Sequence, residues 1–418
     1  NCPKDKNNIA PRLGFSYAPD EKTVVRGGFG LFYGRTPAIV LGTAHSQNGI
    51  NVTGINISDN SRTATVDEVN AVITYPNIFS APPAGFASNP NLYYFAPDYQ
   101  QPYVEQGRVG LEREVLKNLS LSATYLYYHG LRLTRTRDIN LFAPVPTVFN
   151  GGGQSYTFLR FPSARPISRP AGAGQSYNRI SVFESAARSV YNGLAFQATQ
   201  RFTRGFQFIA AYTYSKAKDD RPDQTTVVVG ADDSKIVENQ VTPEADFARS
   251  DTDLRHRFVF SPVYEIGRIK WSDNRAARML LSDYTLSSII QLQSGSPYSA
   301  LVGNDPNNDG NRANDRLPGT VRNQFTTPSV FQVDARVTRN INFSESMRLR
   351  LVLEAFNVFN RANVVTVNNT FFNLSGTALV PPSATTAFGT PRTFSSPASG
   401  TTTFATPRQL QLAIKFDF

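Results

Sequence analysis

The feature that most constrains this chain is the rhythm of its hydrophobic alternation. About eleven segments of roughly ten to thirteen residues alternate apolar and polar positions, the period of a β-strand. They come in pairs joined by short turns, and long polar stretches separate the pairs. Residues 9–18 place Leu13, Phe15 and Tyr17 on one face and turn through PDEK into 23–34. There Val25, Phe29, Leu31 and Tyr33 oppose Arg26, Gly28 and Gly30. Residues 102–114 lead through VLKN into 119–128, where Leu119, Leu121, Ala123, Tyr125 and Tyr127 alternate with Ser120, Ser122 and Thr124. Residues 190–202 turn through TRG into 206–216, with Phe206, Phe208, Ala210, Tyr212 and Tyr214 on one face. The pairs 255–265 with 284–298 and 330–341 with 348–358 follow. The chain then closes on PRQLQLAIKFDF, with Leu410, Leu412, Ile414, Phe416 and Phe418 on one parity.

Three properties of this layout select a fold class. Connections of forty or more residues are uncommon in compact soluble domains, whereas outer-membrane barrels join their strands by short periplasmic turns and long external loops. The segments exceed the usual soluble strand of about five or six residues and approach the nine to eleven that cross a bilayer. Tyrosines gather toward strand ends (Tyr17, Tyr33, Tyr103, Tyr127, Tyr128, Tyr212, Tyr214, Tyr264 and Tyr284), as in aromatic girdles. The opposite parity carries Arg12, Arg26, Arg108, Glu112, Arg201, Asp334, Arg336, Arg348, Arg350, Glu354 and Lys415. In a dry core each of these charges would need a partner; facing a wet lumen they are tolerated. The expectation is an all-β, antiparallel transmembrane β-barrel. Its last strand, Leu410 to Phe418, turns its apolar face to outer-membrane lipid and pairs with the first strand of the barrel, so that no edge remains.

Composition narrows the function. No stretch approaches the roughly 18 apolar residues of a membrane helix. The net charge is +10, but Lys and Arg are dispersed without a run of five, so nucleic acid is not expected as a partner. HExxH, CxxC, GxSxG and P-loop patterns are absent from the sequence, and GGFGLFYG fails GxGxxG because Tyr33 stands at the last glycine. No enzyme is expected. Those glycines instead suggest something packing closely against the wall. The single cysteine, Cys2, reads either as an unpaired end residue or as half of a bridge completed upstream. The chain opens on Asn1 with no Met and no signal peptide, and NCPKDKNNIAPRLGFSY reads as the interior of a longer protein.

The segments NIAPRLGFSYAPDEKTVVRGGFGLFYGR, YNGLAFQATQRFTRGFQFIAAYTYSKAKDD, SDTDLRHRFVFSPVYEI, VDARVTRNINF, LEAFNVFNRAN and the terminal FDF resemble TonB-dependent outer-membrane receptors. The nearest likeness is the Oar-like branch, which carries a carboxypeptidase regulatory-like domain. The resemblance covers nearly the whole chain. It implies a 22-stranded barrel with an N-terminal plug and a TonB box, of which residues 1–418 would be the C-terminal half, about eleven strands. The plug, TonB box and signal peptide would lie outside it. It further implies a Gram-negative outer-membrane location, energy delivered by the TonB complex through the absent N-terminal region, and assembly through the C-terminal strand by the barrel-assembly machinery. An unknown extracellular ligand would be bound in the long loops 36–100, 129–188, 219–253, 303–328 and 359–407. Arg26, Arg108, Arg336, Arg350 and Glu354 would face lumen and plug. A second reading is a surface adhesion or structural barrel without active transport, and a third is a soluble extracellular β protein.

Two loops invite metal. In NDPNNDGNRANDR, Asp305, Asn307, Asp309 and Gly310 match the opening of an EF-hand loop, but position twelve is Arg316 where Glu is required, and no flanking helices are evident. A true EF-hand is excluded. A looser Ca²⁺ site from Asp305, Asn307, Asp309 and Asp315 stands against a plain Asn/Asp-rich turn. No other cofactor is expected. The acidic stretch 219–253 reads more readily as a solvated loop than as a cation trap. His45, His129 and His256 are far apart, and His256, at a strand start, reads as interfacial.

Overall fold

The computed structural model describes residues 5–46, 91–167, 177–220, 236–267, 281–344, 347–395, 402–403 and 407–418. Eleven long strands form the wall: β1 (Arg12–Asp20), β2 (Thr23–Tyr33), β3 (Tyr103–Leu116), β4 (Leu119–Asp138), β5 (Ile180–Thr203), β6 (Phe206–Asp219), β7 (His256–Ile266), β8 (Tyr284–Gln293), β9 (Val330–Asn342), β10 (Arg348–Phe356) and β11 (Gln409–Asp417). They follow one another in chain order in a single sheet, each antiparallel to the next. β1 and β2, β3 and β4, β5 and β6, β7 and β8, and β9 and β10 are joined at one end of the wall, and the longer connections leave from the other end. The turn Arg204–Gly205 has φ of 51° and 83°. Both are the left-handed values a two-residue hairpin needs to follow strand twist. A Cβ on Gly205 would also meet the Glu265 carbonyl oxygen at 2.6 Å.

The register builds two unlike faces. On one, Leu13 stands opposite Phe29, Phe258 lies between Tyr212 and Leu292, Phe260 between Ala210 and Ile290, and Val337 between Leu286 and Leu353. Leu349, Leu351, Leu353 and Ala355 then face Phe416, Ile414, Leu412 and Leu410. This apolar face is exposed, Leu412 to 80% and Phe418 to 93%, as a surface made for lipid must be. Charges mark its limits. On β3 the same parity runs from Glu105 to Arg113 with Gly107, Val109 and Leu111 between, roughly 25 Å along the strand, close to the height of an apolar membrane band. Tyr33 and Tyr103 pack at 5.4 Å at the long-loop end, and Phe206 and Tyr264 at 6.3 Å at the other. Tyr128, expected among these girdle residues, has the opposite parity and packs at 5.7 Å on Tyr191 of the polar face.

Among the described residues, no buried hydrophobic side chain lies in the membrane-spanning part of the wall. The core sits at the long-loop end, in two clusters. One comprises Val40, Tyr93, Phe95, Tyr99, Phe183 and Ile236. The other comprises Phe149, Phe158, Ala300, Val302, Leu317, Phe372 and Leu379. A five-stranded sheet underlies the second, joining Val145–Gly151 and Gln154–Arg160 to Leu301–Gly303, Thr370–Ser375 and Ala378–Val380. It therefore ties together the loops that follow β4, β8 and β10.

The ends of three strands depart from the sequence pattern. β4 and β5 run for 20 and 24 residues, well past the expected 119–128 and 190–202. Their extensions bury Leu133, Ile180, Val182, Phe183 and Ala187, and Leu92–Phe95 adds a parallel strand alongside. The charges of LRLTRTRD concealed this arm. β8 stops at Gln293, short of the expected 298, and Pro297–Tyr298 pairs separately with Phe325–Thr326. One α-helix is present among the described residues, α1 (Ala38–Ser46), which buries Val40. β1 pairs only with β2 and β11 only with β10 among the described residues, so the sheet is open and the closure expected of the last strand is not formed within it.

Candidate ligand-binding site in the loop layer

The polar face of the wall carries the arginines singled out from the sequence. Arg26 lies 3.2 Å from Glu112, Arg336 3.0 Å from Glu354, and Arg350 3.6 Å from Asp417. Each of these arginines is at least a third exposed, so each pair contributes no more than about 1 kcal/mol. The wall is held by its ladder, and these side chains remain available to something else. Arg108 stands across from Gly28 at the rim of a hollow of about 370 Å³ over Gly14, Gly28 and Gly30. Gly27, of the same glycine run, belongs to the apolar face. There a Cβ would run into the Phe15 ring, so this glycine serves the lipid-facing aromatic.

The loop layer has a different electrostatic character. Within the described part of 219–253, expected to be solvated, four acidic side chains are buried: Asp219, Asp220, Asp246 and Asp253 are at most 8% exposed, whereas Glu244 and Asp251 remain exposed. Asp223, Asp232 and Asp233 lie outside the described residues. Arg322 reaches Asp219 at 2.7 Å and Asp251 at 3.5 Å, Arg316 holds Glu238 and Asp246 at 2.6 Å each, and Arg135 lies 3.2 Å from Glu244. A charge taken from water must be compensated, and arginines of the loop after β8 and of the β4 extension do so. Burial works against the Asp253 charge, but the Ala217 N–H, Arg249 and Arg255 hold its carboxyl below the usual range. Burial pushes Asp138 up, against the N–H groups of Asn140 and Ile180 and the nearby Arg165 and Arg179. Nothing in the local sequence of Arg316, Arg322 or Arg135 marks these roles, because their partners are distant in the chain: Glu244 is 109 residues from Arg135, and Asp219 is 103 from Arg322.

The segment 305–315 is not the exposed turn that its composition allowed. Asn307, Asp309, Asn311, Asn314 and Asp315 are all buried. Asp305 accepts the N–H groups of Asp309 and Gly310 at 3.0 Å, and Asn307 and Asp309 cap the N–H groups of Asp309 and Asn311 at 2.9 and 2.7 Å. Burial raises the Asp309 carboxyl to about 7 and, with repulsion from Asp309, Asp305 and Glu238, the Asp315 carboxyl to about 10. Among the described residues, no three His, Cys, Asp or Glu side chains already stand at metal-ligating spacing. The histidines are scattered, His45 on α1, His129 at 3.2 Å from Glu105, and His256 hydrogen-bonded to the Tyr212 hydroxyl at 2.8 Å in the outer aromatic band. Beside the acidic segment opens a pocket of about 230 Å³, lined among others by Phe158, Phe161, Gln240, Asn307 and Arg316. Aromatic rings, an amide and a guanidinium converge there from three loops, a surface able to hold a polar organic ligand.

A wall with one lipid-facing side and one polar side, capped by a folded layer of long loops, defines an outer-membrane β-barrel. The chain belongs to the outer membrane beta barrel domain family, which it matches over residues 2–321. This places it in the outer membrane of a Gram-negative cell. Its fold is similar to that of the outer membrane transporter YddB from Escherichia coli, with a TM-score of 0.52 at 11% identity, covering 98% of this chain and 41% of that one. The ferric enterobactin receptor PfeA of Pseudomonas aeruginosa compares at a TM-score of 0.46 and 11% identity over 98% of this chain and 40% of that one. FpvA of the same organism, in complex with an iron-bound pyoverdine, compares at 0.44 and 11% over 98% and 33%. The chain thus spans about two fifths of the first two and a third of the third. No curated protein matches it.

Proposed function

We propose that this chain forms wall and loops of a TonB-dependent outer-membrane receptor that binds a ligand from outside and imports it with TonB-transmitted energy. The observation that carries the reading is the division of labour in the fold. The wall leaves Arg26, Arg108, Arg336, Arg350 and Glu354 on a polar face beside a glycine-floored hollow, which suits the packing of a plug. The loops are folded into a cored layer with a polar-aromatic pocket rather than left as linkers. The likeness to YddB supports the fold, and its description as a transporter suggests the class of activity. On this reading the plug, the TonB box and, for the Oar-like branch, a carboxypeptidase regulatory-like domain precede the present sequence in the native polypeptide. The C-terminal strand is the signal read by the barrel-assembly machinery. The activity is receptor and transport function, without catalysis.

The test is the mass and location of the native polypeptide, detected with an antibody against residues 408–418 in fractionated cells. A band in the outer membrane at roughly twice this chain's mass or more, as a plugged 22-stranded barrel requires, is expected. A membrane band near 46 kDa, the mass of this chain, would rule out plug-gated import and favour the adhesion barrel. A soluble band would overturn the membrane reading itself.

A further inference from the structure

The backbone around the acidic segment takes left-handed values at Asn304, Asp305, Asn308 and Gly310, with φ of 70°, 55°, 59° and 88°. This curls the chain around its own carboxylates. Such a curl with its internal hydrogen bonds is still only a turn. What sets it apart is Asp315, which is 1% exposed and whose two carboxylate oxygens are both buried without a hydrogen-bond donor. The Asn307 N–H faces them but falls short of bonding geometry. In the preceding residue, the Asn314 side-chain oxygen is also buried without a partner, its amide nitrogen being given to the Ile236 carbonyl at 2.8 Å.

Nearby cations do not fill the gap. Arg316 is held between Glu238 and Asp246, and Arg165 lies 3.0 Å from Asp138. Arg179 lies near Gly310 and Asp138, and its charge acts on Asp309 as that of Arg160 acts on Asp305. Instead, Asp315 is surrounded by the like charges of Asp305, Asp309 and Glu238. A buried acceptor facing other acceptors is a costly arrangement unless something positive enters it.

We infer that residues 305–315 form a calcium-binding loop, in which the carboxylates of Asp305, Asp309 and Asp315 and the side-chain carbonyl of Asn307 supply oxygens to one Ca²⁺. A hard cation that accepts six to eight oxygens in flexible geometry suits this donor set better than Mg²⁺, which demands a near-ideal octahedron and holds its waters. Arg316 occupies the place where a helix-flanked loop of this type has its bidentate acid, and Asp315, one residue earlier, is the buried carboxylate that replaces it. The side chains do not stand at ligand spacing in the structure, so on this inference they draw together as the ion binds and displaces the carboxyl protons. The site lies where loops meet. The Phe161 N–H donates to the Asn307 carbonyl at 2.7 Å, and the Gln240 amide nitrogen approaches Asp309 at 3.3 Å. Calcium would staple three loops of the layer at one point, and this holds whatever ligand the receptor imports.

Isothermal titration of the full-length protein, purified in detergent, with CaCl2 and separately with MgCl2 tests the inference. One Ca²⁺ per chain is expected, with a dissociation constant on the order of 10⁻⁴ to 10⁻³ M, the range of extracellular calcium modules, and no comparable Mg²⁺ signal. Asp315→Asn should weaken Ca²⁺ binding at least tenfold. Should that variant fail to fold, limited proteolysis of the unaltered protein serves instead: EGTA should expose cleavage within 300–320 that added Ca²⁺ reverses. Absence of Ca²⁺ binding by the folded protein up to 10 mM (about ten- to a hundredfold above the expected constant), or equal binding by Asp315→Asn, would overturn the site. Neither result bears on the mass and location test of the receptor reading.

Discussion

Single residues matter most where charge is buried. Arg322, 2% exposed, holds Asp219 and also donates to the Asp219 and Asp246 carbonyls at 2.8 and 3.3 Å. Arg322→Met keeps the bulk and removes the buried charge that reaches Asp219 and Asp251. It should destabilise the loop layer by about 3–5 kcal/mol, read as a lower denaturant midpoint for the near-ultraviolet signal. Breaking the exposed Arg26–Glu112 pair by Arg26→Gln should shift that midpoint by less than about 1 kcal/mol. Asp253 gives a pH dependence whose sign is fixed. Its carboxyl is held below its unfolded value, so the stabilisation it provides is complete above the ordinary carboxylate range and is lost as pH falls through the lowered folded value. Loop-layer stability should therefore decline on acidification below about pH 4, and Asp253→Asn should flatten that part of the profile. An unchanged slope in the variant would remove Asp253 from the account.

At the scale of elements, parity decides facing. Leu353 lies in mid-strand on β10, between Val337 and Leu412, and is 43% exposed. Leu353→Arg should cost about 2–4 kcal/mol of assembly near mid-membrane, seen as a fall in folded protein recovered from outer membranes. Leu351 is a weaker probe, because it already stands opposite Arg339 toward the short-turn end. Normal recovery of the Leu353 variant would contradict a lipid-facing Leu353. In the loop layer, Phe372 packs at 5.7 Å on Tyr156 and at 4.9 Å on Phe371. Phe372→Ala should lose about 3–5 kcal/mol from the loop layer while the wall, whose strands contribute nothing to the cluster around Phe372, keeps its β signal.

For the molecule as a whole, the separation of wall and core predicts two unfolding events. The buried hydrophobic side chains lie at the long-loop end, while the wall depends on its ladder and on lipid or detergent at its apolar face. Near-ultraviolet dichroism, which reports the packed aromatics of the loop layer, should disappear at lower denaturant than far-ultraviolet β signal. A single coincident transition would mean that the two parts are energetically one.

The alternation of side chains by itself determined the wall: all eleven strands, their pairing in chain order and, Tyr128 apart, the face that the apolar and aromatic residues take. The reason is that period two is a local property, and one lipid-facing side imposes it on every strand. Local pattern also marked 305–315 as unusual, through the spacing of Asp305, Asn307 and Asp309. Tertiary structure alone decided the loop layer. That Arg322 answers Asp219 across 103 residues, that β4 and β5 continue into a buried arm, and that Asp315 ends among other carboxylates all depend on contacts between segments distant in the chain. No period records such contacts. They arise because long loops, brought to one end of a barrel, must find for one another the apolar cover and the opposite charges that none of them carries alone.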